Sequence, residues 1–266
     1  MKSIKHFILA PLLCCSALTS SKNLFAESDM RGFFAFGAVY VPEYEGSDDY
    51  YISPFGAGRL EFGDYYIETK ELGLRADIST WENFDFGPAI NYRNRREDDV
   101  DNIAVALLDE LDGAVEVGFF ARFKNNGYWH PSDELAFEVS VLTDASDTHD
   151  GTLVSFGPSY AYSPSSKLRL STSLVATYVN DDYATTYFGI NAENIGNSTL
   201  SFYDAEGGLR DVGISVTANY FLDEQWGLLG FVGYNEFLGD AADSPVIIEG
   251  GNASQFIFGT GVTYFF

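Results

Sequence analysis

Val212-Gly213-Ile214-Ser215-Val216-Thr217-Ala218-Asn219-Tyr220 places an apolar side chain at every even position and a small or polar one at every odd position. Successive side chains of a β-strand point to opposite faces, so this stretch is a strand with one apolar and one wettable face. The same alternation runs outward along the chain. Leu168, Leu170, Thr172, Leu174, Ala176 and Tyr178 oppose Arg169, Ser171, Ser173 and Thr177. Val154, Phe156, Pro158, Tyr160 and Tyr162 oppose Ser155, Gly157, Ser159 and Ala161. Val115, Val117, Phe119, Ala121 and Phe123 oppose Glu116, Gly118 and Arg122, and Phe84, Phe86, Pro88, Ile90 and Tyr92 oppose Asp85, Asn91 and Arg93.

A soluble sandwich also alternates, with its apolar face turned inward. Two features favour a transmembrane barrel. Runs of about ten residues suit a tilted bilayer crossing, whereas globular strands average about five or six. Aromatic residues also gather at the run ends, at Tyr162, Tyr178, Tyr220, Phe221, Trp226 and Tyr264, where interfacial girdles place them. The predicted fold is all-β: a transmembrane antiparallel up-and-down barrel, of twelve strands or alternatively ten. Glycine and serine on the inner face serve either wall closure or a water-filled lumen.

Eleven runs are legible: 31–41, 52–62, 65–78, 84–94, 114–123, 134–143, 152–162, 167–179, 210–221, 226–237 and 256–266. Bacterial barrels have an even number of strands, so one more is expected. Residues 181–203, with Thr186-Tyr187-Phe188-Gly189-Ile190 and Leu200-Ser201-Phe202, are the first place for it. A split of 65–78 is the other. Long connections at 94–113, 180–209 and 238–255 are expected outside the cell, with short ones such as Ser163–Ser166 and Asp223–Gln225 on the periplasmic side. Ile103, Leu107, Leu108 and Leu111, following Asp101 as a cap, predict a short helix over the rim.

The N-terminus reads as an export signal: Lys2 and Lys5, an apolar core Phe7–Leu13, and an exit ending at Ala26. That core is too short to span a membrane as a helix. Residues 1–26 are the expected signal peptide, and 27–266 the single barrel domain. A lipoprotein signal ending at Cys14 or Cys15 is disfavoured, since the residues just before them are not small. Both cysteines leave with the signal, so disulfides and thiolate metal sites are not expected. The formal net charge of −24 becomes −27 once Lys2, Lys5 and Lys22 are removed. Such a surface repels nucleic-acid phosphates, and 16% aromatic content argues against an acidic disordered chain.

Catalytic and ligand-binding candidates are few. Thr143-Asp144-Ala145-Ser146-Asp147-Thr148-His149-Asp150 gathers a serine, a histidine and acids, but triad geometry normally takes its members from separate rigid elements. A flexible polar loop is expected there, and no zinc spacing involves His130 or His149. Acids cluster at Glu45 with Asp48 and Asp49, at Glu97–Asp101, at Asp181-Asp182 and at Asp240/Asp243. None has EF-hand order, so a solvated acidic rim is expected, with Glu45–Asp49 as a tight turn fixing the first hairpin. No catalytic, cofactor or metal residue is assigned. Glu116, Arg122, Glu138, Arg169, Arg93 and Asp85 fall on the inner face, where pairing across strands is favoured over a conduction path.

One stretch, Tyr40-Val41-Pro42-Glu43-Tyr44-Glu45-Gly46-Ser47-Asp48-Asp49-Tyr50, resembles the N-terminal motif of the MipA/OmpV family of outer-membrane proteins. Tyr187–Ile190, Ala205–Val212 and Leu238–Val246 add to the resemblance in order along the chain. The resemblance implies a barrel in the outer membrane of a Gram-negative cell. It further implies a non-enzymatic scaffold joining a lytic transglycosylase to a peptidoglycan synthase, with adhesion or stress-response roles as alternatives; the glycine- and serine-rich inner face and the acidic excess suggest a small cation-preferring pore as another. Tyr44, Glu45, Gly46, Ser47, Asp48, Asp49 and Tyr50 are the motif residues singled out. Tyr264 and Phe266, at the end of an alternating last strand, resemble the signal that outer-membrane assembly machinery reads. Lipid and that machinery are the other expected partners.

Overall fold

A computed structural model describes residues 30–266; the expected signal peptide lies outside the described residues. Twelve antiparallel strands close into a barrel in which each strand pairs with its sequence neighbours and the last returns to the first. They are β1 (Met30–Pro42), β2 (Tyr50–Phe62), β3 (Tyr65–Lys70), β4 (Gly73–Asp77), β5 (Phe84–Arg93), β6 (Ala114–Asn126), β7 (Asp133–Asp144), β8 (Thr152–Ser165), β9 (Leu168–Val179), β10 (Gly208–Phe221), β11 (Trp226–Phe237) and β12 (Ser254–Phe265). Closure comes from β1 against β12, in register from Phe33↔Phe265 to Tyr40↔Phe258.

The twelfth strand comes from splitting 65–78, at the turn Glu71-Leu72 between β3 and β4. With that strand counted, the connections alternate between the two ends around the whole wall, although the one between β3 and β4 is a short turn at the end that otherwise carries the long loops. Residues 181–203 hold no named strand. They carry helix α2 (Asp181–Phe188) and a loop with one isolated bridge, Ile190↔Tyr203. Asn180 caps α2, Asp181 and Asp182 fill its first turn, and Tyr183, Ala184, Tyr187 and Phe188 bury one side. Capping and burial together outweigh the strand preference of Thr185 and Thr186.

The apolar face of the alternation points outward: Leu174, Ile214, Val216, Leu228, Val232, Phe256 and Phe258 are all exposed. Rings mark both edges of this band. Tyr40 stacks on Tyr50 at 4.9 Å near the loop end, and Trp226 meets Tyr264 at 4.9 Å near the turn end. No helix among the described residues is long and apolar enough to cross a membrane.

The inner face is not uniformly small and polar. Over much of β1, β2, β11 and β12 it is apolar, with Ala35, Val39, Phe55, Leu229, Phe231 and Ile257 packed into one cluster, beside the buried polar Ser53, Arg59, Gln255 and Thr263. Elsewhere the turn-end half of the lumen holds an ionic ladder. Arg59 donates to Glu68 at 2.9 Å, Arg75 to Glu68 at 2.7 Å, and Arg75 lies 2.8 Å from Glu138. Arg122 pairs with Glu134, and Lys124 reaches Asp85 at 2.5 Å. The predicted inner-face charges therefore pair across strands, with Arg169 donating instead to Ser163 Oγ at 3.3 Å.

Candidate functional site

At the loop end the connections fold over the mouth as a packed cap. Helix α1 (Ile103–Ala106), α2, α3 (Gly239–Asp243) and α4 (Pro245–Ile248) supply it. Val105, Leu108, Ile190, Leu200 and Val246 form one apolar cluster; Tyr183, Phe188, Phe237 and Ile247 belong to a second. The predicted rim helix is present but shorter. Its cap is Asn102, whose Oδ1 accepts from Ala104 N and Val105 N at 3.0 and 3.2 Å. The buried stripe is Val105 and Leu108, while Ile103 and Leu107 stay exposed. The Asp101 amide instead donates to Glu43 Oε2 at 2.8 Å.

The stretch from Tyr44 to Tyr50 clasps this cap to the wall. Tyr44 OH donates to the Gly250 carbonyl. The Asn252 amide donates to Gly46 O at 2.7 Å, and Gln255 Nε2 to Ser47 O at 2.9 Å. Ser47 is fully buried, and its Oγ accepts from Asp49 N at 3.1 Å. Tyr50 OH accepts from Phe256 N at 3.1 Å. Gly46 sits at φ +97, and a Cβ there would come within 2.5 Å of Ile247 Cγ1. Only glycine fits that backbone and that contact. Asp48 alone of the seven points to solvent. The turn fixes more than the first hairpin, since it also holds the last loop.

Glu45 turns inward. It pairs with Arg93, lies 3.2 Å from Arg210 Nη1, and accepts from Tyr183 OH at 2.9 Å. Burial pushes its carboxyl up, but Arg210, Arg93 and the Tyr183 hydroxyl outweigh it and hold Glu45 below the ordinary glutamate range. Ser244 Oγ donates to Phe188 O at 2.6 Å, and Glu206 N to Asp240 Oδ2 at 2.8 Å. The four separated family-like stretches thus meet in one place. Asp181 and Asp240 cap loop amides rather than standing as free acidic rim, Asp181 through Gly207 N at 2.8 Å. Glu43, Asp49 and Asp101 bring carboxylate oxygens within 4.8 Å of one another.

The loop carrying His149 is knit together by hydrogen bonds to one carboxylate. Asp144 accepts amide hydrogens from Ser146, Thr148, His149 and Asp150 at 2.8, 2.6, 2.6 and 3.1 Å. His149 is only 3% exposed. Its Nδ1 accepts from Gly151 N at 3.0 Å, its Nε2 lies 3.3 Å from Glu116 Oε1, and its ring packs on Tyr183 and Tyr187. Ser146 Oγ donates to Asp144 at 2.6 Å instead of facing the imidazole, so the serine, histidine and acids of this loop do not assemble as a triad. His130 lies at the opposite end, exposed, its ring 5.0 Å from Tyr162. Sequence reasoning missed the buried Arg93–Glu116–His149 group and the role of Arg210. Alternation places Arg93 and Glu116 inward, but nothing local pairs them with a loop histidine.

Residues 34–266 match the family described as MltA-interacting protein MipA. YiaT of Escherichia coli O157:H7 and YiaT of strain K12, each named as an outer membrane protein, are both 26% identical over 241 residues. That alignment covers 90% of this chain and 87% of theirs. A crystal structure of an outer membrane channel from Pseudomonas putida F1 superposes with a TM-score of 0.46 at 12% identity, over 93% of this chain and 100% of that one. The KdgM porin gives 0.37 at 10%, over 89% and 99%. Similarity at that level informs nothing about function.

Proposed function

The chain belongs to the MltA-interacting protein MipA family and is an outer-membrane β-barrel; from that premise we propose that it is a non-enzymatic scaffold. In this reading it holds a lytic transglycosylase, and through it a peptidoglycan synthase, at the periplasmic face of the outer membrane. The observation that carries the reading is how the interior is used. Side chains that could line a solute path or form an active centre are engaged in ion pairs: Arg75, Glu68, Asp85 and Arg122 are each at most 3% exposed. The work then falls to an outer surface. At the turn end Trp81, Tyr128 and Trp129 stand 67%, 54% and 63% exposed, beside the turns that would face the peptidoglycan. Aromatic anchors of this kind are the residues that carry binding energy at protein interfaces.

Pull-down from crosslinked envelopes tests this. The intact chain is expected to retain a lytic transglycosylase, and Trp81→Ala with Trp129→Ala to lose it; an intact chain that brings down no peptidoglycan enzyme sinks the scaffold. The competing reading, a small cation-preferring pore, is motivated by the acidic excess. The filled lumen weighs against it, and planar bilayers containing the purified barrel are expected to stay electrically silent. Cation-selective steps would reinstate the pore.

A further inference from the structure

The wall is incomplete on one side. The hairpin of β3 and β4 rises only part of the way: β2 pairs with β3 from Arg59↔Glu68 to Phe62↔Tyr65, and β4 pairs with β5 only at Leu74↔Ile90 and Arg75↔Ala89. Above the tip at Glu71-Leu72, the edge of β2 from Tyr50 to Ala57 has no named strand paired to it, and across the opening β5 runs past its last β4 partner, Ile90, only as far as Arg93. An open edge inside hydrocarbon is costly unless its backbone groups are managed, and this one is managed at Pro54 and Gly58. The Gly58 amide and carbonyl, which point to this side, are both met by Thr69 Oγ1, at 3.0 and 3.4 Å. Backbone groups alternate sides along a strand, so Pro54, an even-numbered residue like Gly58, turns its ring nitrogen to the same edge and offers no donor there. Its carbonyl accepts from Ser53 Oγ at 3.2 Å. Prolines are tolerated on edges and avoided inside sheets, so Pro54 marks this side of β2 as a permanent edge. On β5 the hairpin covers the side that faces it: Ile78 N donates to Phe86 O at 3.0 Å and Phe86 N to Asp77 Oδ1 at 2.9 Å.

Behind the gap lies a cavity of about 290 Å³, near the lower end of the range for small-molecule sites. Its lining runs from the hydroxyl residues Ser140, Ser155 and Thr177 inside the barrel to Leu72 at the hairpin tip and to Leu74 and Ile90, which pair on the wall just below it. A groove on the outer, lipid-facing wall shares Leu74, Arg75, Ala89 and Ile90 with it. The cap covers the cavity from the loop end, and the ionic ladder fills the lumen below. We propose that the gap between β2 and β5 is a lateral portal from the outer leaflet, and that the cavity binds the head of a neutral, single-chain amphiphile. The alkyl chain lies along Leu74 and Ile90 while a hydroxylated head meets Ser140, Ser155 and Thr177. Charges around the cavity already balance in pairs such as Arg75–Glu138 and Glu45–Arg93, which favours a head without net charge. This site is separate from the scaffold surface and stands or falls independently of it.

The test places a bimane fluorophore on Ser155→Cys in the refolded full-length mature barrel in phosphatidylcholine vesicles, with folding checked by heat-modifiable migration. A monoacylglycerol carrying a doxyl group is expected to quench it. A doxyl-labelled two-chain phosphatidylcholine and aqueous iodide are expected not to. Adding Leu72→Trp to fill the portal is expected to abolish quenching while the barrel still migrates as folded. No quenching by the monoacylglycerol, equal quenching by the two-chain lipid, equal access by iodide, or quenching that survives Leu72→Trp would each overturn the portal.

Discussion

Glu68 accepts from two arginines inside a wall where it is 3% exposed. Removing one member of a buried ion pair leaves uncompensated charge and costs about 3–5 kcal/mol. Glu68→Ala takes one partner from each of Arg59 and Arg75 and leaves them Glu61 and Glu138, so urea unfolding from bilayers should show a loss toward the lower end of that range, about 3 kcal/mol. Gly46→Ala meets both a left-handed backbone and the Ile247 side chain, a strain of about 1–3 kcal/mol. Its effect should be local: faster proteolytic nicking within 238–253 while the barrel keeps its heat-modifiable migration. Glu45 sets a pH limit on the same clasp. Its carboxyl is held low in the folded chain, so its contribution is fully present above the unfolded-state value, about 4.3, and is lost as pH falls through the lower folded value. Protease protection of the cap should stay level from neutral pH to that point and decline below it. Glu45→Gln should flatten that decline, and an unchanged acid profile would remove Glu45 from the account.

Among the elements, α2 shows how capping decides between structures of similar local preference. Asn180 Oδ1 accepts from Tyr183 N at 3.4 Å and from Thr152 N at 2.7 Å, tying the helix start to the top of β8. Asn180→Ala is expected to cost about 1 kcal/mol, read as faster amide exchange in 181–188 and at Thr152 with β9 unchanged. The β3–β4 hairpin makes the converse point. Its outward residues change parity at the turn, from Tyr65 and Ile67 to Leu74, and reading 65–78 as one run passes over that shift of phase. The turn at Glu71, with φ +52, interrupts a stretch that carries no proline and only one glycine, Gly73, so the usual turn residues do not mark it. His149 was beyond local reading for another reason. Its surroundings are polar and loop-like along the chain, and its burial comes from Tyr183, Tyr187 and Glu116.

Over the whole molecule, the last strand closes the barrel and ends on the rings proposed for assembly. Phe266 stacks on Phe34 at 5.3 Å, and its amide donates to Gly32 O at 3.1 Å. A truncation lacking Phe266 is expected to lower the amount of barrel reaching the outer membrane, measured by fractionation, even where the purified chain still refolds in detergent. Equal levels in cells would leave Phe266 with a packing role only. Closure also explains the division of labour inside. An apolar cluster supports the β1–β12 seam, the ionic ladder braces the side carrying the short hairpin, and the cap is held by contacts between loops far apart along the chain.

Ten of the twelve strands and their facing were set by the sequence alone, because side-chain alternation is a property of each strand's own backbone and needs no partner. The inward placement of Asp85, Arg93, Glu116 and Arg122 follows from it directly. Which charges meet was decided only in three dimensions: Glu45 and Arg210 are 165 residues apart, and only closure of the wall and folding of the loops bring them together. The half-height hairpin, the open edge beside it and the burial of His149 are of the same kind. Each depends on what the neighbouring strand or loop supplies, and a linear pattern carries no record of its neighbour.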